Sequence, residues 1–230
     1  MSLVIQIPCV MFHNFPETVE NLKRLCNAIQ VPYTVPENQT CCGLPYFEKG
    51  EQKAAKTISE YNLSVFGDHT ILSPSIKCEK TYTISYPKIL NNTVSHIQCM
   101  KMAAAAKGLD FLFPKVNLLN AANIKNHFFL VVDCNEKSDI QKQWIHPFIN
   151  AQFSYPKLEN TCCGAGFCLP SLNHKEAADL SHHLIQQAIE AGAEIILTTN
   201  EICLQQLQNN LINYPQLKAM HLIDLYAKAL

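Results

Sequence analysis

Apolar positions along the chain fall into short runs separated by stretches of helical spacing, and this order occurs twice. In the first half, Leu3-Val4-Ile5-Gln6-Ile7 is an apolar run ending at Pro8-Cys9. It predicts a buried strand with the cysteine at its C-terminal edge. Val19, Leu22, Leu25, Cys26 and Ile29 share one helical face and predict a helix over 16–29. A second short strand is expected at Pro32-Tyr33-Thr34-Val35. A helix over 48–66 should follow, with Ala54, Ile58, Tyr61 and Val65 facing inward. His69-Thr70-Ile71-Leu72 reads as a strand, and Pro74-Ser75-Ile76-Lys77-Cys78 turns out of its C-terminal end.

The second half repeats this order. Residues 128–132 form an apolar strand ending at Asp133-Cys134, and Phe153-Ser154-Tyr155 is extended. A helix is expected over 174–191, stopped by Gly192 at the position where glycine ends helices. Glu194-Ile195-Ile196-Leu197-Thr198 is a strand leading toward Cys203, and a last helix is expected over 216–229. Residues 79–126 are less regular, with a helix near 100–107 and the bridge between halves. Strands alternating with helices predict an α/β fold: two pseudo-symmetric halves, 1–115 and 116–230, with short, largely parallel sheets flanked by helices. In such sheets, sites gather at the C-terminal ends of strands.

Those ends carry cysteines. Thr-Cys-Cys-Gly occurs at 40–43 and again at 161–164. Cys9 precedes the first pair and Cys78 follows it, while Cys134 and Cys203 flank the second. The offsets between equivalent cysteines are 125, 121, 121 and 125 positions, which implies duplication. The candidate ligands are therefore Cys9, Cys41, Cys42 and Cys78 in one half, and Cys134, Cys162, Cys163 and Cys203 in the other. Thiolates are soft ligands suited to zinc or iron–sulfur clusters, and four of them satisfy tetrahedral zinc or a [4Fe–4S] cluster. The glycine after each pair should relieve a tight loop. Cys26 falls on an apolar helical face and reads as core, Cys99 has no repeat partner and reads as structural, and Cys168 reads as core or a spare ligand. Of the adjacent His182 and His183, one should be exposed, because neighbouring helical residues point about 100° apart.

Composition narrows the classes. Charged residues make up only 16% against 48% hydrophobic, which implies extensive burial, while a net charge of −1 gives no electrostatic case for nucleic acid. No apolar run reaches the roughly 18 residues needed to span a bilayer. The N-terminal ten residues lack the basic flank of a signal peptide. Eleven cysteines, an odd number in a long chain with no visible export signal, favour thiolate ligation in a reducing compartment over disulfides. The expected location is cytoplasmic.

The doubled cysteine motif resembles the cysteine-rich CCG domain. That domain occurs twice in one component of heterodisulfide reductase, and also in the iron–sulfur proteins of lactate utilisation, glycolate oxidase and anaerobic glycerol-3-phosphate dehydrogenase. The stretch Pro36-Glu37-Asn38-Gln39-Thr40-Cys41-Cys42-Gly43-Leu44-Pro45 resembles the first motif of the lactate-utilisation branch. Cys162-Cys163-Gly164-Ala165-Gly166, Ala191-Gly192-Ala193 and His221-Leu222 resemble its second half. The resemblance implies an electron-transfer subunit, not itself catalytic, with one or two [4Fe–4S] clusters. Its partners would be other subunits of an oxidoreductase complex acting on a 2-hydroxy acid such as lactate or glycolate, and any membrane association would come through them. The competing readings are a zinc-binding or metal-free structural subunit and a direct disulfide reductase. Each full family motif ends in Cys-x-x-Cys, whereas this chain has Ser75-Ile76-Lys77-Cys78 and Asn200-Glu201-Ile202-Cys203. The lost fifth cysteine counts against disulfide chemistry and leaves Ser75 and Asn200 as possible weak oxygen ligands.

Overall fold

In the computed structural model, all residues are described except 1–2, 68, 135–142, 159–160 and 167. The chain divides into two compact units. The first comprises Met1–Val19 and Cys26–Lys115, and the second Glu20–Leu25 and Val116–Leu230.

The first unit is built on a parallel sheet of β1 (Leu3–Ile5), β2 (Tyr33–Thr34) and β3 (Thr70–Leu72) in the order β2-β1-β3. Leu3 pairs with both Tyr33 and Thr70, so β1 is central. Its three residues are buried on both faces, which is why the strand reads as an unbroken apolar run. Helices α1 (Cys9–Asn14), α2 (Pro16–Ala28), α3 (Leu44–Glu48), α4 (Gln52–Phe66) and α5 (Ile76–Lys80) follow the strands. A π turn at Thr81–Ser85 extends α5 directly into α6 (Tyr86–Ile89). Beyond it lie α7 (His96–Ala105) and α8 (Leu109–Leu112).

The second unit holds β4 (His127–Val131), β5 (Gln152–Ser154), β6 (Ile195–Thr198) and β7 (Lys218–His221), all parallel, in the order β5-β4-β6-β7. Its helices are α9 (Leu169–Leu172), α10 (His174–Glu190), α11 (Glu201–Asn210) and α12 (Leu222–Lys228). Asn173 caps α10 by accepting from the Glu176 amide, and Gly192 (φ 73°) follows its C-terminal end. The two units are thus α/β with parallel sheets, and their strand orders correspond. Even β7 has a vestige in the first unit, where Lys107 bridges Leu72 in parallel, its amide 2.7 Å from the Ile71 carbonyl.

Two expectations are corrected. The last helix does not begin near 216: β7 comes first and the helix starts at Leu222. Lys218 is exposed and Ala219 and Met220 are half-buried, so this strand carries no apolar run and forms by pairing with β6. The helix expected over 48–66 starts at Gln52, after the short α3 and Gly50 (φ 73°), and its buried face is rotated from the one expected. Ala55, Ser59, Asn62, Leu63 and Phe66 face the core, while Ala54 and Ile58 are half-buried and Tyr61 is exposed. With Thr40 and Tyr46, these outer residues line an open groove of about 810 Å³.

Urea denaturation of two alanine variants checks this face. Leu63→Ala removes a fully buried side chain and should cost about 2–5 kcal/mol. Tyr61→Ala, which loses one exposed hydrogen bond to the Asn38 carbonyl, should cost under about 1.5 kcal/mol.

Candidate thiolate centres

The parallel sheet gathers residues that lie far apart in sequence. In the first unit, Cys9 opens α1 just after β1, Cys41-Cys42 lie in the loop after β2, and Cys78 sits in the first turn of α5 after β3. Gln39 ties the pair's loop to the end of β1: its Oε1 accepts from the Ile7 amide at 2.7 Å. The four thiols form a hydrogen-bonded row. Cys9 Sγ lies 3.6 Å from Cys41 Sγ, and Cys42 bonds both Cys41 and Cys78.

The second unit repeats the row in the same order. Cys134 follows β4, Cys162-Cys163 follow β5, and Cys203 lies in the first turn of α11 after β6. Cys162 is bonded by Cys134 and Cys163, and Cys163 also bonds Cys203.

A left-handed glycine closes each pair. Gly43 has φ 84° and Gly164 φ 85°, and their amides donate to Cys41 Sγ at 3.4 Å and Cys162 Sγ at 3.3 Å. A Cβ on Gly43 would stand 2.5 Å from Cγ2 of Ile58, and one on Gly164 would strike the Ala177 carbonyl oxygen of α10. The expectation of a tight loop is met, and for two reasons: backbone conformation and close approach of a helix.

The carbonyls of the pairs are also satisfied. Asn62 Nδ2 donates to the Cys41 carbonyl at 2.9 Å, and Tyr86 OH donates to the Cys42 carbonyl at 2.8 Å. In the second unit Ser181 Oγ donates to the Cys163 carbonyl at 2.7 Å. These supporting residues were not found in the sequence. The signal for Tyr86 was its place eight residues after Cys78 on a helical stripe, hidden because 79–126 lacked a clear period.

Donation from neighbours makes one sulfur in each row the acidic one. Hydrogen bonds from Cys42 and Cys9 pull the Cys41 thiol down to about 3, and bonds from Cys134 and Cys163 pull Cys162 down to about 2. Cys9, Cys42, Cys134 and Cys163 are pushed up, first by donating to that neighbour. Each row thus holds one thiolate shared among thiols, the protonation expected of crowded sulfurs sharing a pocket.

The other candidates fall elsewhere. Burial alone pushes Cys26 up to about 12 and Cys99 up to about 11, as for inert core thiols. Cys168 stands at the head of α9 with φ 56°, and none of the eleven cysteines is in a disulfide. His182 packs on the Tyr214 ring and His183 is exposed. Ser75 and Asn200 are helix N-caps: Ser75 Oγ accepts from the Cys78 amide, and Asn200 Oδ1 accepts from the amides of Ile202 and Cys203. Asn200 Nδ2 in turn donates to the buried Asp133 carboxylate. Their oxygens are engaged in fixing the turns that present Cys78 and Cys203.

A parallel α/β unit ending in four converging thiols, present twice, defines a duplicated thiolate-site protein. The chain belongs to the cysteine-rich CCG domain family, matched over residues 3–81 and 148–208. It is 20% identical to an uncharacterized iron-sulfur protein of Methanocaldococcus jannaschii over 96% of this chain and 45% of that protein. It is 23% identical to lactate utilization protein A 1 of Bacillus cereus over 90% of this chain and 89% of that protein. Over 34% of this chain and 33% of the relative, it is 32% identical to lactate utilization protein A 2 of B. cereus. A crystal structure of a hypothetical protein from Helicobacter pylori shares the fold, with TM-score 0.70 and 12% identity over 99% of this chain and 48% of that one. The chain thus spans about half the length of the archaeal relative and of the H. pylori protein. Among the described residues, no helix is long and apolar enough to cross a membrane.

The residues present fit a thiolate-held group: two sets of four soft donors, each with one sulfur already stabilised as thiolate. Among the described residues, no group of three or more His, Cys, Asp or Glu side chains is arranged to hold a metal ion as the thiols stand here. The thiols are bonded to one another instead, so loading must exchange their protons for metal.

Two measurements check this geometry. Gly164→Ala, which meets backbone, should lose more stability than Gly43→Ala, which meets one methyl of Ile58. The left-handed strain common to both is about 1–2 kcal/mol, and the difference in denaturation midpoint reports the remainder. In metal-free protein at pH 6, iodoacetamide should label the half-buried thiolates Cys41 and Cys162 before the buried Cys42 and Cys163, as read by peptide mass spectrometry.

Proposed function

We propose that this chain is an iron–sulfur electron carrier serving an oxidoreductase system. In this reading Cys9, Cys41, Cys42 and Cys78 hold one [4Fe–4S] cluster, and Cys134, Cys162, Cys163 and Cys203 hold a second. The observation that supports it most directly is the gathering of each set of four thiols, in the same order, at the C-terminal edge of a parallel sheet. The iron–sulfur and lactate-utilization names of the relatives point the same way, toward a partner that oxidises a 2-hydroxy acid such as lactate or glycolate. A cluster bound there supplies one-electron transfer.

The protein's own residues supply the rest. Cys41 and Cys162 offer sulfurs already stabilised as thiolates, and their neighbours give up protons on binding. Ser75 and Asn200 stay as caps, so each half offers four sulfurs in these sets. That favours a conventional cluster over disulfide reduction at a five-cysteine centre. Burial of Cys42, Cys78, Cys163 and Cys203 keeps water from one side of each site. The chain acts as a redox subunit, and its partners are the other subunits of the oxidoreductase complex.

The test is anaerobic purification or reconstitution followed by iron, sulfide and zinc analysis. Iron with equimolar acid-labile sulfide is expected. Cys42→Ser and Cys163→Ser should each remove about one cluster's iron and leave the other half loaded, because serine oxygen is a poorer ligand for these clusters. Cys26→Ser should keep full iron content while costing about 1–3 kcal/mol for burying a hydroxyl. Zinc without sulfide would replace this reading with a structural one.

A further inference from the structure

Beside the first thiol set lies a buried hydroxyl with nothing to bond. Tyr82 is fully buried, and its phenol oxygen has no hydrogen-bond partner. The chain has built this position with care. Cys78, Tyr82 and Tyr86 fall at successive four-residue steps along the continuous helix formed by α5, the π turn and α6. Tyr82 stands one turn beyond Cys78 on this continuous helix and packs in the same core cluster. Phe66 and Tyr86 hold that ring edge-on at 5.8 and 5.1 Å. Tyr82 belongs to the same core cluster as Cys42 and Cys78.

Tyr86 shows the ordinary fate of such a hydroxyl: it donates to the Cys42 carbonyl and accepts from Asn62. Tyr82 lacks any equivalent. A buried unmade hydrogen bond is costly, and phenylalanine would preserve the ring packing without it. No atom of the described chain, cysteine sulfurs included, accepts from this hydroxyl, although Tyr82 packs in one core cluster with Cys42 and Cys78. Among the described residues, the equivalent positions in the second half carry no hydroxyl. The offset of 125 that carries Cys78 to Cys203 carries Tyr82 to Leu207 and Tyr86 to Leu211. Leu207 is fully buried in the core cluster of Cys163 and Cys203, so that place presents only methyl groups.

We propose that the Tyr82 hydroxyl donates a hydrogen bond to the iron–sulfur group of the first thiol set, making that site easier to reduce than the second. The inference rests on the reading of both sets as cluster sites. Reduction adds negative charge, and a fixed donor in a buried, low-dielectric site stabilises the more negative state. Tyr82 is thus a positioning residue for the electron: it biases which site an arriving electron occupies.

The experiment uses the full chain, reconstituted anaerobically with iron and sulfide, in two backgrounds. Cys163→Ser leaves only the first site loaded, and Cys42→Ser only the second. Redox titration followed by electron paramagnetic resonance should place the first site at the higher potential. In the first-site background, Tyr82→Phe should leave iron and sulfide content unchanged and weaken reduction by about two- to tenfold in the equilibrium constant. It should also abolish a deuteron coupling to the reduced group, seen by electron–nuclear double resonance after exchange into heavy water. In the second-site background the same change should do nothing. The potentials in the reverse order, or a loaded first site whose potential and deuteron coupling ignore Tyr82→Phe, overturn this inference alone. Loss of iron in Tyr82→Phe, with no deuteron coupling at the loaded first site of the Tyr82 protein, also overturns it by showing a packing role. A first site that takes up no iron and sulfide overturns both this inference and the reading beneath it.

Discussion

The left-handed turn at Gly43 and Gly164 is the constraint on which the rest of each half depends. Only with φ near +85° can the glycine amide point back at the first sulfur of the pair while the second cysteine turns into the core. A helix closes over the turn at a distance that leaves no room for a Cβ. Two adjacent side chains, which an extended backbone would send to opposite sides, are thereby brought to one site. The same closure seals the pair's carbonyls from water, so each needs a donor from the protein, and Asn62, Tyr86 and Ser181 supply them.

The parallel sheet contributes the other two sulfurs of each set. Strands that run the same way end at the same edge, and each crossover helix returns the chain so that the next strand ends there too. Cys9 and Cys78 stand 69 positions apart, yet both join the row around Cys41 and Cys42. Such a site cannot exist as a local knuckle of chain: the half must fold before the thiols meet. Once they meet, four sulfurs cannot all ionise at that spacing, and the charge settles on the sulfur that receives most donors, Cys41 or Cys162. The arrangement is poised for a cation or cluster that would neutralise the charges of the remaining thiolates.

The halves share this scaffold and differ around it. Support for the pair comes from a Tyr86–Asn62 couple in one half and from Ser181 in the other. The turn before the last sulfur is capped by Ser75 in one, and by Asn200 braced on Asp133 in the other. Tyr82 packs in the core cluster of Cys42 and Cys78, where Leu207 packs in that of Cys163 and Cys203. Duplication preserved the row of four thiols while the surroundings diverged.

The sequence by itself determined the repeat, the eight gathered cysteines, the glycine turns and the central strands. Each of these has a local cause: a continuous apolar run marks a strand buried on both faces, and a residue spacing survives duplication. Three features were decided only by tertiary structure. The strand β7 is half-exposed and has no pattern of its own; it forms because β6 offers an unpaired edge. The face of α4 could not be told from apolar spacing, because Ser59 and Asn62 lie inside, Asn62 in order to bond the Cys41 carbonyl and Tyr86. The roles of Ser75 and Asn200 also depended on geometry, since the same side-chain oxygen can ligate a metal or cap a helix, and only the position of the Cys78 and Cys203 amides decides between them. Apolar burial follows the pattern along the chain, whereas polar burial follows whichever unsatisfied group the fold brings near, and that neighbour belongs to another element.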